Sequence, residues 1–193
     1  AAVIGYHGQT LAHDPAGGRT HQAGQGWRGL LVSEALDGFT EAERVAPADM
    51  PELERWVLHR LAELDGRVRA GYDAYDFQGV FRGLFDFATV DLSAFWFDIR
   101  KDALYCDAAS SLRRRAARTV MDEVFSRLTA WLAPLTPFTM EEAWTTRFPD
   151  AGSNCARVIP DTPAEWRNPA EAERWAAINT VLEVVNESLE AAR

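Results

Sequence analysis

The stretch of sequence that decides the fold is DLSAFWFDIRKDALYCDAASSLRRRAARTVMDEVFSRLTAWLAPLTPFTMEEAW, residues Asp91–Trp144. Its apolar residues recur every three or four positions, which is typical of helices that bury one face. The pattern predicts one helix over Leu92–Cys106 and another over Ser111–Ala133. Because proline cannot continue a helix, Pro134 and Pro137 end the second one.

Helical periodicity extends upstream of this stretch and towards the C-terminus. One helix is predicted to start at the Asp49–Pro51 junction, and a further one covers Asp76–Ala88. The residues predicted to face the core are Leu53, Trp56, Val57, Leu61, Leu64 and Val68; Phe77, Val80, Phe81, Leu84 and Phe85; Phe95, Ile99 and Trp96; Leu112, Ala116, Val120, Val124, Leu128 and Trp131; and Trp175, Ile178, Leu182 and Val185.

Two pairs of residues have the spacing of capping boxes, in which a cap residue is followed three positions later by glutamate. Thr139 with Glu142 predicts a short fifth helix, and Asn168 with Glu171 predicts a last helix that reaches the C-terminus. The fold class is therefore all-α, a helical bundle crossed by an irregular stretch, Phe148–Glu165.

The N-terminal part of the chain differs from the rest. Residues 1–29 contain seven of the thirteen glycines and have no helical periodicity, and only Ala2–Tyr6 is typical of a short strand. We therefore divide the chain into an irregular or foreign segment, 1–29, and a helical bundle, 30–193.

The composition is that of an ordinary globular protein, with 47% hydrophobic and 25% charged residues and a net charge of −9. No uncharged apolar run approaches the ~18 residues of a membrane span, so we expect no membrane partner. Cys106 and Cys155 form no CxxC motif, which indicates reduced thiols. We expect a cytoplasmic monomer.

No stretch of the sequence matches an active site. Walker loops, GxSxG and HExxH motifs are absent. His7, His13 and His21 lack cysteine or carboxylate partners at ligand spacing, so we expect no metal site. We assign no catalytic residue and no cofactor to this chain.

A basic cluster on two neighbouring predicted helices is the candidate binding site. Between residues 99 and 118 there are six basic residues and only two acidic ones, Asp102 and Asp107. The six are Arg100, Lys101, Arg113, Arg114, Arg115 and Arg118. Guanidinium groups fork onto phosphate oxygens, which favours nucleic acid. The alternative is that the arginines form ion pairs with neighbouring acids or solvate a helix face.

Two aromatic pairs offer a second kind of nucleic-acid contact. Trp96 with Phe97, and Tyr72 with Tyr75, could stack on bases. Aromatic side chains at helical spacing more often belong to the core, and we expect this of Trp96.

The decisive stretch resembles the anticodon-binding helical domain of class I synthetases for branched aliphatic amino acids, and is most similar to bacterial isoleucyl-tRNA synthetases. An aromatic-rich helix ends in Lys101, Asp102 and Tyr105, a basic helix starts at Ser111, and LAPLTPFTMEEAW follows. ALDGF, LERWVLHRL and PAEWRNP fit the same family. The resemblance implies docking of a tRNA anticodon stem, with isoleucine tRNA expected.

The ATP-handling motifs of that family, HIGH and KMSKS, are absent from the chain, and so is an editing domain. The resemblance therefore implies that the parent enzyme uses ATP and Mg²⁺ and that this part alone is inactive. Two alternatives stay open: the equivalent domain of a valyl- or leucyl-tRNA synthetase, and a helical protein-interaction scaffold with no role in RNA binding.

Residues 1–26 do not fit this family. VIGYHGQTLAHDP, residues Val3–Pro15, resembles a segment of anhydro-N-acetylmuramic acid kinases. The phosphate-gripping loops of those sugar kinases are missing, so no kinase activity is expected. We interpret the segment as a junction of two coding regions; the alternative is that the likeness is accidental.

Deleting residues 1–29 should leave the thermal unfolding transition nearly unchanged, because that segment supplies few apolar residues to the helical stripes. Circular dichroism melts of the full and shortened chains measure the two midpoints. A large drop in the midpoint of the shortened chain would mean that the segment is part of the fold.

Overall fold

A computed structural model describes residues 34–191 of the protein, apart from several side chains near the two ends. Its α-helices are α1 (Glu52–Asp73), α2 (Phe77–Asp86), α3 (Asp98–Cys106), α4 (Leu112–Leu132), α5 (Pro137–Arg147) and α6 (Pro169–Ala191). Short 3₁₀ turns occupy Glu34–Leu36, Glu41–Glu43, Pro47–Asp49, Asn154–Ala156 and Ala164–Trp166. This part of the chain contains no strand, which confirms the all-α prediction; the strand and N-terminal segment predicted within 1–29 lie outside the described residues.

The chain is helical without a break from Phe77 to Cys106, where two separate helices were predicted. The predicted break was wrong because Phe87–Phe97 contains neither glycine nor proline and forms a π-helix. Hydrogen bonds in a π-helix span five residues, so side chains four or five positions apart share a face. The buried residues of this segment are Phe87, Ala88, Leu92, Trp96 and Phe97.

This long helical run packs antiparallel on α1. Moving towards the N-terminus of α1, successive contacts join Arg60 to Asp91, Trp56 to Phe95 and Glu54 to Arg100. Near the other end of α1 the two helices come very close together. A Cβ atom added to Gly71 would lie 2.4 Å from Cγ2 of Val80, so a larger residue does not fit there.

The close approach at Gly71 decides which face of α2 is buried. Val80 and Leu84 belong to the core, whereas Phe77 and Phe81 are exposed. The predicted five-residue stripe of α2 was therefore too wide, because the turn that brings Val80 against α1 leaves the two phenylalanines facing outwards.

Helix α4 lies at the centre of the bundle, in contact with α1, α3 and α5. Its predicted stripe is confirmed from Ala116 to Trp131, all of it buried. Leu112, and Ile99 on α3, were wrongly predicted to be core residues, since both are exposed. They flank the turn between α3 and α4, and this turn is at an end of the bundle.

The two predicted capping boxes have different outcomes. Helix α5 begins at Pro137 with Thr136 as its cap, so the predicted start at Thr139 was wrong; proline is favoured in the first turn because its missing N–H needs no partner there. The cap before α6 is confirmed, but the complete box is not, because the Asn168 backbone N–H donates to His59 Nδ1 (2.9 Å) instead of to Glu171. The Glu171 backbone N–H donates to Asn168 Oδ1 (3.2 Å), and Asn168 Nδ2 donates to Glu171 Oε2 (3.1 Å).

Helix α6 packs on α1 only through its first turns. Trp175 contacts Trp56 and Phe95. Ile178, Leu182 and Val185 were predicted to be core residues and are exposed. The prediction was wrong because α6 runs past the N-terminal end of α1, where the described part of the chain offers no helix to cover it.

Tyr72, near the C-terminal end of α1, gives a pH-dependent test of the packing of α1 on α4. Its hydroxyl donates to the Trp131 carbonyl (2.5 Å), and burial raises its pKa to about 12. An unfolded tyrosine has a pKa of about 10. The folded protein favours the neutral form of Tyr72. The resulting contribution to the free energy of unfolding is complete below pH ~10 and is lost as the pH rises through about 12. Ultraviolet titration should show one late tyrosine that disappears in Tyr72→Phe; tyrosines that all ionise together would contradict this.

Candidate nucleic-acid interface

The basic cluster is built around the turn between α3 and α4, which is organised by Asp107. Its carboxylate accepts hydrogen bonds from Arg113 Nε (2.9 Å), Arg113 Nη2 (2.7 Å) and Ser111 Oγ (3.0 Å). Its backbone carbonyl accepts one from Arg114 Nη1 (2.8 Å). The hydrogen bonds from Arg113, and after them that from Ser111, lower the pKa of Asp107, so the carboxylate stays charged at neutral pH.

Three of the six predicted residues reach the surface near this turn, and we name them the corner cluster: Lys101, Arg113 and Arg114. The side chains of Lys101 and Arg113 are 42% and 52% exposed, and Arg114 is half-buried. Lys101 Nζ pairs with Asp98 at 3.0 Å. Asp107 occupies two of the five N–H donors of Arg113, so the guanidinium is oriented and still has donors for an anion.

Arg100 is held inside the bundle. Its Nη2 donates to Glu54 Oε2 at 2.8 Å, and its Nε donates to the other oxygen of the same carboxylate. Glu54 is fully buried in the first turn of α1. Since removing one partner of a buried pair leaves an uncompensated charge, this pair fixes α3 to the start of α1.

Arg118 forms hydrogen bonds and an ion pair with the segment that precedes α1. We name this segment, residues 34–50, the strap. Arg118 Nε donates to the Ala35 carbonyl (2.9 Å), its Nη2 donates to the Asp37 carbonyl (2.7 Å), and its Nη1 pairs with Glu43. The side chain is only 8% exposed. Arg118 therefore lies beneath the strap.

Other residues of α4 reinforce the strap. Arg115, half-buried, donates through Nε to the Glu43 carbonyl at 3.1 Å. The Val45 backbone N–H donates to Thr119 Oγ1 at 3.1 Å. The Phe39 ring lies near two guanidinium groups: its centroid is 5.5 Å from Cζ of Arg44 and 5.4 Å from Cζ of Arg118.

The sequence did not indicate which arginines of the basic cluster lie at the exposed turn between α3 and α4 and which lie beneath the strap. Arg113, Arg114, Arg115 and Arg118 lie within six residues, and the acids and carbonyls that bond two of them come from the strap, more than 70 positions upstream. Phosphate contact by any of the six stays a prediction. The most exposed of the six are Lys101 and Arg113, whereas Arg114 and Arg115 are both half-buried and Arg115 is held by the strap.

The two aromatic pairs that were candidates for base stacking differ in burial. Trp96 and Phe97 are buried in the core, as expected for Trp96. Tyr75 is exposed, with a φ of 58° that is rare for a residue other than glycine, and its ring meets that of Phe77 edge-on at 6.1 Å. The exposure of Phe77 could not be predicted from the sequence, because its spacing is that of a core residue.

Two further findings concern residues 34–191. None of their helices is long and apolar enough to cross a membrane. No group of three or more histidine, cysteine, aspartate or glutamate side chains in the same range is arranged to hold a metal ion.

A family model described as the anticodon-binding domain of tRNA ligase matches residues 54–193, which is most of the helical bundle. The chain belongs to this family of anticodon-binding domains.

Isoleucine–tRNA ligases of several bacteria are among the relatives of this chain. The ligase of Caulobacter vibrioides is 56% identical over 160 residues, which cover 82% of this chain and 16% of that protein. Those of Brucella abortus and Ruegeria pomeroyi are each 58% identical, over 153 and 161 residues, covering 79% and 82% of this chain and 16% of each ligase. The chain thus spans about one sixth of the length of these relatives.

Replacing Arg118 by alanine should destabilise the bundle by about 3 kcal/mol, because two strap carbonyls and the Glu43 carboxylate lose their donor. Urea denaturation measures the loss. Arg113→Ala is the matched control, since its pair with Asp107 is exposed and its midpoint should stay near that of the parent. Equal midpoints for the two variants would show that Arg118 does not hold the strap.

Proposed function

We propose that this chain docks the anticodon stem of tRNA as part of an isoleucine–tRNA ligase, and so serves aminoacylation in translation. The observation that carries the proposal is the corner cluster: an accessible group of basic side chains on α3 and α4 of a domain that belongs to the anticodon-binding family. The identity of 56–58% to isoleucine–tRNA ligases supports isoleucine tRNA as the cognate partner.

The corner cluster has the chemistry that a phosphate backbone requires. Arg113 is oriented by Asp107 before any ligand arrives, which reduces the entropy lost on binding. Lys101 adds an ammonium group with three donors, one of which bonds Asp98. The net charge of −9 does not oppose local binding, because screening limits the reach of distant charges to about 8–10 Å.

Arg100, Arg115 and Arg118 support the interface by holding its helices in place. Arg100 fixes α3 to α1, and the other two fix the strap to α4. Because Arg100 and Arg118 already bond carboxylates or carbonyls away from solvent, we assign them a structural role and leave direct tRNA contact to the corner cluster.

The rest of the proposed activity belongs to parts of the ligase outside this chain. ATP and Mg²⁺ would be used by a catalytic domain, and the chain alone would show no isoleucine-dependent exchange of pyrophosphate with ATP. We further propose that the chain acts as a monomer in the cytoplasm. A valyl- or leucyl-type domain is less well supported, because relatives that are 56–58% identical to this chain are isoleucine–tRNA ligases.

Replacing Lys101, Arg113 or Arg114 by alanine should weaken binding of every tRNA by a similar factor, because phosphate contacts carry no sequence information. Each loss should also flatten the slope of log affinity against log salt by up to ~0.7–0.9 per contact removed. Filter binding of isoleucine tRNA and a non-cognate tRNA at several salt concentrations measures both effects.

Arg82→Ala is the matched control, since Arg82 is an exposed arginine on α2, away from the corner cluster. Its affinity and salt slope should equal those of the parent chain. If Arg82→Ala weakens binding as much as the corner variants do, the corner cluster is not the interface. A parent chain that binds no tRNA at low salt would favour the protein-interaction scaffold.

A further inference from the structure

Helix α6 continues beyond the helix on which it packs. It runs antiparallel to α1, because Glu171 pairs with Arg55 and, one turn later, Arg174 pairs with Glu52. Glu52 is the first residue of α1. About 16 residues of α6 therefore extend some 24 Å past the end of α1, at a rise of about 1.5 Å per residue.

The face that packs on α1 continues along this extension. Glu171 is buried and Trp175 packs on Trp56. The same helical face then carries Ile178, Leu182, Val185 and Leu189. Steps of four, three, four, three and four residues separate successive members of this series, which is the heptad spacing of a helix that packs against another helix along its whole length. We name the last four residues the open seam.

The open seam is uncovered in the described part of the chain. Ile178, Leu182, Val185 and Leu189 are 41%, 38%, 46% and 60% exposed, and Val181 beside them is 63% exposed. A row of partly exposed aliphatic side chains on one face marks an interaction surface, because an isolated amphipathic helix gains its stability from packing.

We propose that the open seam binds a second helix that continues the line of α1 and comes from a part of the ligase outside this chain. Relatives about six times as long provide such parts. The proposal rests on the assignment of this chain to a ligase and goes beyond tRNA docking. The docking helix has an apolar heptad stripe. Its flanks are basic, because residues 176–191 contain three glutamates and no lysine or arginine.

A second copy of this chain fits the open seam less well. Two α6 helices paired along the open seam would bring together two copies of residues 176–191, each with three glutamates and no lysine or arginine. Five aliphatic side chains, which are 38–63% exposed, also fall short of the ~800 Å² that each partner buries in a standard stable interface. A helix of the same ligase avoids this difficulty, because a linked partner binds at a high effective concentration.

Overlapping synthetic peptides from the Caulobacter vibrioides isoleucine–tRNA ligase, taken from outside the region similar to this chain, are the probe. Fluorescence anisotropy measures their binding to the 193-residue chain without tRNA. Because a free peptide lacks the effective concentration of a linked helix, the titration extends to about millimolar peptide. We expect binding by peptides that combine a heptad apolar stripe with lysine or arginine flanks. The double variant Leu182→Asn, Val185→Asn should weaken that binding by about tenfold or more, equivalent to ~1.4 kcal/mol.

Val158→Asn is the matched control, because Val158 is equally apolar and 87% exposed but lies near Pro160, whose carbonyl accepts from Arg69 towards the C-terminal end of α1, away from the end where α6 packs. It should leave binding unchanged, and the melting midpoints of all three proteins should agree. The proposal is overturned if no peptide distinguishes the double variant from the control. It is also overturned if sedimentation shows a dimer of the chain that the double variant dissolves, which would assign the open seam to a second copy. Neither outcome bears on tRNA docking by the corner cluster.

Discussion

The fold depends on the hydrogen bonds and ion pairs that the buried arginines of α4 form with other parts of the chain. Arg118 and Arg127 are both nearly inaccessible, and a guanidinium group taken out of water must be paired or hydrogen-bonded. Arg118 finds its partners in the strap. Arg127 pairs with Glu123, donates to the Asp161 carbonyl at 3.0 Å and stacks on the Trp166 ring at 4.1 Å. Burial lowers the pKa of Arg127, and Glu123 opposes that shift.

These two arginines explain where the irregular parts of the chain lie. The strap and the segment between α5 and α6 have few helical hydrogen bonds of their own, and each is fixed to α4 through carbonyl groups that accept from a buried guanidinium. The same helix carries Arg113 and Arg114 at its beginning. The segments that pack on α4 and the candidate tRNA contacts therefore share one rigid element, so a change in the strap would alter the support of the corner cluster.

The sequence predicted what depends on local pattern. The stripe of α4 from Ala116 to Trp131 and the cap at Asn168 follow from spacing alone, and both are confirmed. What depends on distant partners was not predictable. Phe77 lies outside the core because Gly71 admits Val80 so closely, and Arg118 lies inside because strap carbonyls surround it. The basic cluster stays a prediction as a tRNA-binding site, and its most exposed members could not be identified without the fold.

The open seam and the corner cluster lie at the same end of the bundle. Arg100, just before the corner, pairs with Glu54 in the first turn of α1, and Arg174, just before the open seam, pairs with Glu52 in that turn. A basic helix docked on the open seam would therefore place positive charge at the end where Lys101 and Arg113 are exposed. The local potential determines how strongly an anionic partner is attracted, and screening confines it to about 8–10 Å. An acidic domain can thus present a positive surface to tRNA at this one end, because the corner cluster and the docked helix would act there together.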